Sequence, residues 1–182
     1  DDQPKCLAIG ICDQNDPFRL KPYMNFNGSW QSKKSKINLN LDSEVVFFDH
    51  LQSESGKRMR NRTTLSKLFN LGGIEVIPAV ALDYAKFKPE ANEKDTDRTI
   101  PIYSLDIKAN LVKISNNGDV RQSIQPRVMA VYIPFEDQSE FPFIDTLMPD
   151  FNYFQLFNEN RFIGNDRIGD TSKISYGIVA KR

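Results

Sequence analysis

The sequence predicts an all-β protein, an antiparallel meander of long strands, on three observations. Apolar and polar residues alternate with period two over long stretches, which is the side-chain period of a strand and not the 3.6 of a helix. An Asn-Gly pair, Asn117-Gly118, sits between two such stretches, and Asn-Gly accepts the positive φ angles of a tight hairpin turn. Composition agrees: 13 Phe and 6 Tyr stand in 182 residues rich in Asn, Asp and Ser, without long Ala/Leu/Glu/Lys blocks.

The elements follow in order. Phe18 to Phe26 reads as a first, weaker strand. From Ser35 to Phe48, Ile37, Leu39, Leu41, Val45 and Phe47 share one face, and Lys36, Asn38, Asn40, Asp42 and Glu44 share the other. Over Met59 to Phe69, Arg60, Arg62, Thr64, Ser66 and Leu68 oppose Met59, Asn61, Thr63, Leu65, Lys67 and Phe69. Ile74, Val76, Val80, Leu82 and Tyr84 make one face of 74–87, interrupted by Pro78. Over 102–114, Tyr103, Leu105, Ile107, Ala109 and Leu111 face away from Ser104, Asp106, Lys108 and Asn110. The return strand sets Ile124, Pro126, Val128, Ala130 and Tyr132 against Ser123, Gln125, Arg127 and Met129. A last strand runs over Lys173 to Ala180, with Ile174, Tyr176, Ile178 and Ala180 in step.

Connections alternate in length. Asn70 to Gly73 and Ser115 to Gly118 are short, and Lys88 to Thr99 and Glu136 to Ser172 are long. Short turns at one end and long loops at the other are the habit of outer-membrane barrels, whose tilted strands also need about ten residues to cross a bilayer. Proline removes a ladder donor, so Pro78 and Pro126 each mark an edge, a bulge or a weak seam.

Composition bounds the function classes. Lys plus Arg and Asp plus Glu are 24 each, so net charge is zero and electrostatic capture of nucleic acid or of an anionic membrane by the protein as a whole is disfavoured. No run reaches the roughly 18 apolar residues of a membrane helix, a test that leaves a β-barrel open. One histidine, His50, supports neither a Ser/His/Asp triad nor a zinc site without added carboxylates, and Gly72-Gly73 reads as a turn; no enzyme and no cofactor are expected. Cys6 and Cys12 are disulfide candidates if the protein is exported and ordinary thiols otherwise. Asp1-Asp2-Gln3-Pro4 has the look of a processed N-terminus.

The C-terminal third carries a specific resemblance. Pro126, Arg127, Tyr132, Pro134, Asp137, Gln138 and Asp145 are followed by Leu156, Phe157, Glu159, Asn160, Arg161, Phe162, Gly164, Asp166, Arg167, Ile168, Gly169, Asp170 and Gly177. At these spacings the chain resembles the C-terminal barrel domain of the lipopolysaccharide-assembly outer-membrane family LptD (OstA/Imp). The resemblance implies a section of a large transmembrane outer-membrane β-barrel. Residues 17–182 would be part of that barrel, with a long loop at about 136–172, and residues 1–16 an N-terminal segment. It further implies a Gram-negative cell outer membrane location and insertion of lipopolysaccharide into the outer leaflet. The partners implied are outer-membrane lipid, an LptE-like plug lipoprotein inside the barrel and an LptA-like periplasmic bridge, with no nucleic acid; lipid would leave through a seam between the first and last strands. Two family features are missing, a periplasmic jellyroll and an adjacent C-terminal cysteine pair. Roughly six or seven strands fall short of the eight or so that close a barrel, and an open edge is not tolerated in lipid, so the chain reads as a piece of a larger wall, the alternative being a truncated relative that acts differently.

Within that frame Lys36, Asn38, Asn40, Asp42, Glu44, Asp106, Lys108 and Asn110 are candidates for a wet lumen, as is Arg127; otherwise they are the solvated face of a soluble sheet. Arg161, Asp166, Arg167 and Asp170 alternate in sign in the long loop. They would pin it over the barrel mouth and bury Phe151, Tyr153, Phe154, Phe157 and Phe162; an exposed loop with weak ion pairs is the alternative. The basic run Lys57, Arg58, Arg60, Arg62 and Lys67 reads as a solvated or lumenal face more readily than as a phosphate site. The rival from another class is a secreted soluble β-sandwich that binds glycan or protein.

Overall fold

The structure, a computed structural model, describes residues 19–49, 55–90, 94–114, 121–150 and 152–181. It contains β1 (Arg19–Gln31), β2 (Ile37–Asp49), β3 (Gly56–Lys67), β4 (Phe69–Leu71), β5 (Ile74–Pro89), β6 (Thr96–Ala109), β7 (Leu111–Ile114), β8 (Arg121–Ile133), the short helix α1 (Tyr153–Leu156) and β9 (Thr171–Lys181). The nine strands form one sheet in which every pairing is antiparallel and the seven long strands β1, β2, β3, β5, β6, β8 and β9 lie side by side in chain order. The described strands thus make the expected meander, and no second sheet of a sandwich stands among them.

The two shortest strands have a common cause. β4 continues β3, and β7 continues β6, each after a lapse in the ladder that leaves the register unchanged. Between Ser66↔Ala79 and Phe69↔Val76 the unpaired stretch is Lys67-Leu68 opposite Ile77-Pro78. Between Lys108↔Arg127 and Leu111↔Ile124 it is Ala109-Asn110 opposite Gln125-Pro126. Each lapse contains a proline, which has no N–H to donate across the strand boundary. Pro78 and Pro126 are therefore weak seams inside the sheet, not edges.

The turns at one end are tight. Gly72 and Gly73 have φ of 61° and 91°, and the Gly73 N–H donates to Asn70 Oδ1 at 3.3 Å. The β1–β2 turn closes with the Lys36 N–H on the Ser32 carbonyl at 2.9 Å, and Lys36 has φ 53°. Lys36 was expected on the β2 face; it is instead a turn residue, because β2 starts at Ile37 and the reversal needs one positive φ. The connection expected over 88–99 is shorter than that: β5 persists to Pro89 and β6 starts at Thr96. The segment 134–170 is the one long crossing, and it joins β8 to β9. Cys6, Cys12, His50, Phe151 and the Asn117-Gly118 turn lie outside the described residues, although the β7–β8 ladder brackets that turn.

The sheet has two unlike faces. One is apolar and open: Trp30, Leu65, Leu82, Tyr103, Tyr132, Ile174, Tyr176 and Ile178 are all exposed on it, Tyr176 to 80%. The other, here called inner, is charged and covered in its middle by the long loop. Apolar residues on the inner face lie under that loop in two groups. Ala81, Ile100, Ile102, Met129, Val131 and Ile133 pack with Phe157 and Ile168 of the loop. Val46, Phe48, Ala85 and Phe87 pack with Phe141. A soluble sheet would show the reverse, its apolar face covered and its charged face open.

Candidate functional site

β3 brings three arginines to the inner face because Arg58, Arg60 and Arg62 sit two residues apart. Each meets acids that other elements supply. Arg58, fully buried, donates from Nη2 to Glu44 Oε1 of β2 and to Asp145 Oδ2 of the loop, both at 2.6 Å, and from Nη1 to Asp166 Oδ1. Its guanidinium lies 4.9 Å from the Phe48 ring centroid. Arg60 reaches Asp83 at 2.6 Å and Asp42 at 3.2 Å. Arg62 pairs with Glu159 of the loop, which also accepts from Ser104 Oγ at 2.8 Å. Burying so many charges is tolerable only because each finds a partner across the sheet or in the loop.

The loop answers this wall with its own geometry. Asp166 Oδ2 accepts from the amides of Ile144 at 2.8 Å and Asp145 at 2.6 Å, and Asp145 Oδ1 accepts from the amides of Asn165 at 3.1 Å and Asp166 at 3.3 Å. The two halves of the loop are thereby stitched together around Arg58. Gly164 permits this approach: its φ is 95°, and a Cβ there would collide with the Asp145 carbonyl oxygen. The isolated bridge Leu147↔Ile163 closes the same stitch. Asn165 Nδ2 donates to Glu44 Oε2 at 2.9 Å, adding a second tie to β2.

A further set of ties runs through Gln138. Its side-chain oxygen accepts from Arg98 Nη1 and from the Ile168 amide at 3.2 Å, and its Nε2 donates to the Ile168 carbonyl at 2.7 Å. Arg98 also donates to the Asn165 carbonyl at 2.8 Å. Arg167 donates to the carbonyls of Gln138 and Phe141, the latter at 2.9 Å, so it caps backbone and forms no ion pair. Asn160 links the Arg167 carbonyl to the Gly169 amide. Asn152 caps α1, and Gly177 of β9 has the Phe157 ring close against it.

The electrostatics of the loop acids follow from these contacts. Burial pushes the Asp166 carboxyl up to about 6, and the neighbouring Asp145 carboxyl adds to the shift. Burial works against the Asp145 charge, but the hydrogen bond and charge of Arg58, with the hydrogen bonds to Asp166 and the Asn165 amide, together outweigh it and hold that carboxyl down at about 2. Asp137, exposed, is held below the usual carboxylate range by the amide of Ser139.

The residues singled out from the sequence divide as follows. Asn38, Asn40, Asp42, Glu44, Asp106 and Lys108 share the inner face. Ser29 Oγ donates to Asn40 at 2.8 Å, Arg127 forms a two-bond pair with Asp106 at 2.9 Å, and Lys108 lies 3.4 Å from Glu75. Asn110, in the gap between β6 and β7, accepts from Gln125 at 3.3 Å. Pro126 lies in the second ladder lapse. Gln138, Gly164, Asp166 and Arg167 enter the loop network, while Arg161 and Asp170 face one another at the surface, 3.9 Å apart and each 57% exposed. Phe157 is buried, whereas Tyr153 and Phe154 stay exposed, Phe154 to 76%. The basic run splits: Arg58, Arg60 and Arg62 point inward, and Lys57 and Lys67 point outward over the rings of Phe47 and Phe69.

Sequence reading did not single out Asp83 or Glu159 as partners of the arginines, nor Arg98 as a further inward arginine. The available signal was charge at the inward alternate positions of β5 and β6, which names a face but not a partner. A polar cleft of about 600 Å³ remains between β1–β3 and the loop, with Asn27, Asn40, Asp42, Arg60, Asn160 and Phe162 among its walls. Among the described residues no cluster of His, Cys, Asp and Glu is placed to hold a metal ion.

The sequence model of LptD, described as LPS transport system D, matches residues 10–181. A curated protein of Hahella chejuensis named LPS-assembly protein LptD is 30% identical over 94% of this chain. Proteins of the same name from Nitrosomonas eutropha and Cupriavidus metallidurans are 32% and 34% identical over 91% and 71% of the chain. The chain spans 23%, 24% and 17% of those three relatives, so it corresponds to only a part of each. A match to the family model over residues 10–181, nearly its whole length, makes this chain, with its apolar open face and its loop tied to the charged inner face through Asp166, a member of the LptD family.

Proposed function

We propose that residues 17–182 form a section of the wall of an outer-membrane barrel that inserts lipopolysaccharide into the outer leaflet of a Gram-negative outer membrane, with residues 1–16 preceding it. The observation that carries this reading is the inversion of the two faces. An open apolar face more than one strand wide suits lipid, and a charged face with an inward loop suits a wet lumen. Short turns at 32–36 and 72–73 would then lie on the periplasmic side and the 134–170 loop on the cell surface, folded back into the lumen.

The substrate is lipopolysaccharide, delivered from an LptA-like periplasmic bridge, and the lumen also holds an LptE-like lipoprotein plug. The inner-face residues Asn38, Asn40, Asp42, Glu44, Asp106, Lys108, Asn110 and Arg127 give saccharide or plug a polar wall. Seven strand-widths do not close a barrel, so β1 and β9 continue onto strands beyond this section.

Cysteine pairs in the full-length protein test the reading. Leu82→Cys and Tyr103→Cys should label with a lipid-soluble thiol reagent from within the bilayer, and Asn40→Cys and Ser104→Cys with a water-soluble one. Release of the native protein from membranes without detergent, or the opposite labelling, would return the chain to the soluble sandwich class. Depleting the full-length protein should also strand newly made lipopolysaccharide inside the cell surface; normal surface display would remove the transport role.

A further inference from the structure

Two features of the open face meet at the short-turn end. The first is a fringe of lysines. Lys33, Lys34 and Lys36 occupy the β1–β2 turn, and Lys67 ends β3 beside them, through the pairing Ile37↔Lys67 and the Leu68 N–H on the Lys36 carbonyl at 3.1 Å. All four are exposed. No acidic residue occurs in 26–41 or 61–74, and among the described residues none of the four is paired with a carboxylate. The lysines at the opposite end differ: Lys86 is held by Asp95 at 2.9 Å, and Asp97 lies opposite it in register.

The second feature is a shallow groove of about 240 Å³ directly above Lys67, lined by Ile37, Leu65, Lys67, Pro78 and Val80. It lies where the ladder lapses opposite Pro78. Its walls are apolar, and apolar residues surround it: Trp30, Leu39, Phe69 and Leu71 are exposed on the same face.

An apolar slot that ends in unpaired cations matches one amphiphile, an acyl chain joined to a phosphate. We propose that this corner of the sheet is a binding site for a single anionic glycerophospholipid of the leaflet at the short-turn end. One acyl chain lies along the Leu65–Pro78–Val80 groove and the phosphate meets Lys33, Lys34, Lys36 and Lys67. The lysine stems follow the apolar surface while their ammonium groups reach the headgroup plane, as long basic side chains do at interfaces. Charge complementarity selects the occupant: a zwitterionic lipid fills the groove equally well but leaves the fringe without a net countercharge. The proposal rests on the barrel-wall reading.

The test uses the full-length protein in nanodiscs of equal phosphatidylglycerol and phosphatidylcholine, with retained lipids counted by native mass spectrometry. Wild type should retain phosphatidylglycerol in excess. Each lysine changed to glutamine should lower that excess about five-fold, the weight of one basic side chain beside an anionic surface. The fully substituted K33Q/K34Q/K36Q/K67Q protein should show none, and the same four changed to arginine should keep it. Val80→Phe, which fills the groove, should reduce both lipids, and K57Q/K88Q at the far end should change nothing. Equal retention of the two lipids by wild type, or an unchanged excess in the glutamine variant, would overturn the site. So would displacement of phosphatidylglycerol by added lipopolysaccharide, which would give the fringe to the other lipid. Failure to enter any bilayer would overturn the barrel-wall reading first.

Discussion

Arg58 and Asp166, 108 positions apart in the chain, form an ion pair in which neither side chain has more than a trace of solvent exposure. Arg58 belongs to the wall and Asp166 to the loop, so their contact is what joins the two. Glu44 and Asp145 complete the shell around the same guanidinium. Burial in this shell, with the Asp145 carboxyl beside it, pushes Asp166 toward its neutral form.

Removing Arg58 leaves these acids buried without a counter-charge. Arg58→Ala is expected to destabilise loop docking by about 3–5 kcal/mol, the cost of breaking a buried pair from one side. Limited proteolysis of the full-length protein should then cut within 134–170 at protease levels that leave wild type intact. Arg161→Ala, which removes the exposed Asp170 pair and a surface contact with the Phe162 ring, should shift stability by no more than about 1 kcal/mol and leave the loop resistant. Cleavage in both variants alike would mean that the loop is not held through Arg58.

Gly164 sets the shape of the loop at the point where its two halves touch. Gly164→Ala must abandon φ 95° or displace the Asp145 backbone. The backbone term alone is about 1–3 kcal/mol, and the collision adds to it. Hydrogen exchange at the amides of Asn165 and Asp166, both bonded to Asp145, should speed up in this variant. Unchanged protection there would show that the loop tolerates a side chain at 164.

Loop docking should depend on pH with opposite signs on two limbs. Asp166 has its folded value raised to about 6 from 3.8. Its contribution is full below 3.8 and is lost as pH rises through about 6. Asp145 has its folded value lowered to about 2, so its contribution is present above 3.8 and is lost as pH falls through about 2. Docking is therefore tightest near pH 4 and loosens on either side. A spin label at exposed Phe154 should gain mobility between pH 4 and 6. Asp166→Asn should abolish that limb and keep the acid one; a limb that survives the substitution belongs to another group.

The strands were legible because strand periodicity is local. Leu39 and Leu41 against Asn40 and Asp42, or Tyr103 and Leu105 against Ser104 and Asp106, name two faces with no knowledge of the rest of the chain. The turn at Gly72-Gly73 was legible for the same reason, since positive φ is a property of single residues. Pro78 and Pro126 announced weak positions, and the structure located each weakness as a lapse that splits off β4 or β7. Lys36 misled because alternation carries on past a strand end into a turn, where no ladder enforces it.

The loop shows the limit of local reading. Its alternating charges suggested that Arg161, Asp166, Arg167 and Asp170 together pin it in place. Asp166 instead takes a wall arginine, Arg167 takes backbone carbonyls, and Arg161 and Asp170 remain outside. A charge in a sequence demands a partner when it is buried, but depth and partner are both set by elements far along the chain.

By itself the sequence determined the strand faces, the tight turns, the weak prolines and the family. Only the tertiary structure decided which face is covered, because period two is the same whether the apolar side points in or out. It alone brought Arg58 to Asp166, Arg60 to Asp83 and Arg98 to Gln138, since pairing across a sheet and a loop depends on register and on where the chain returns.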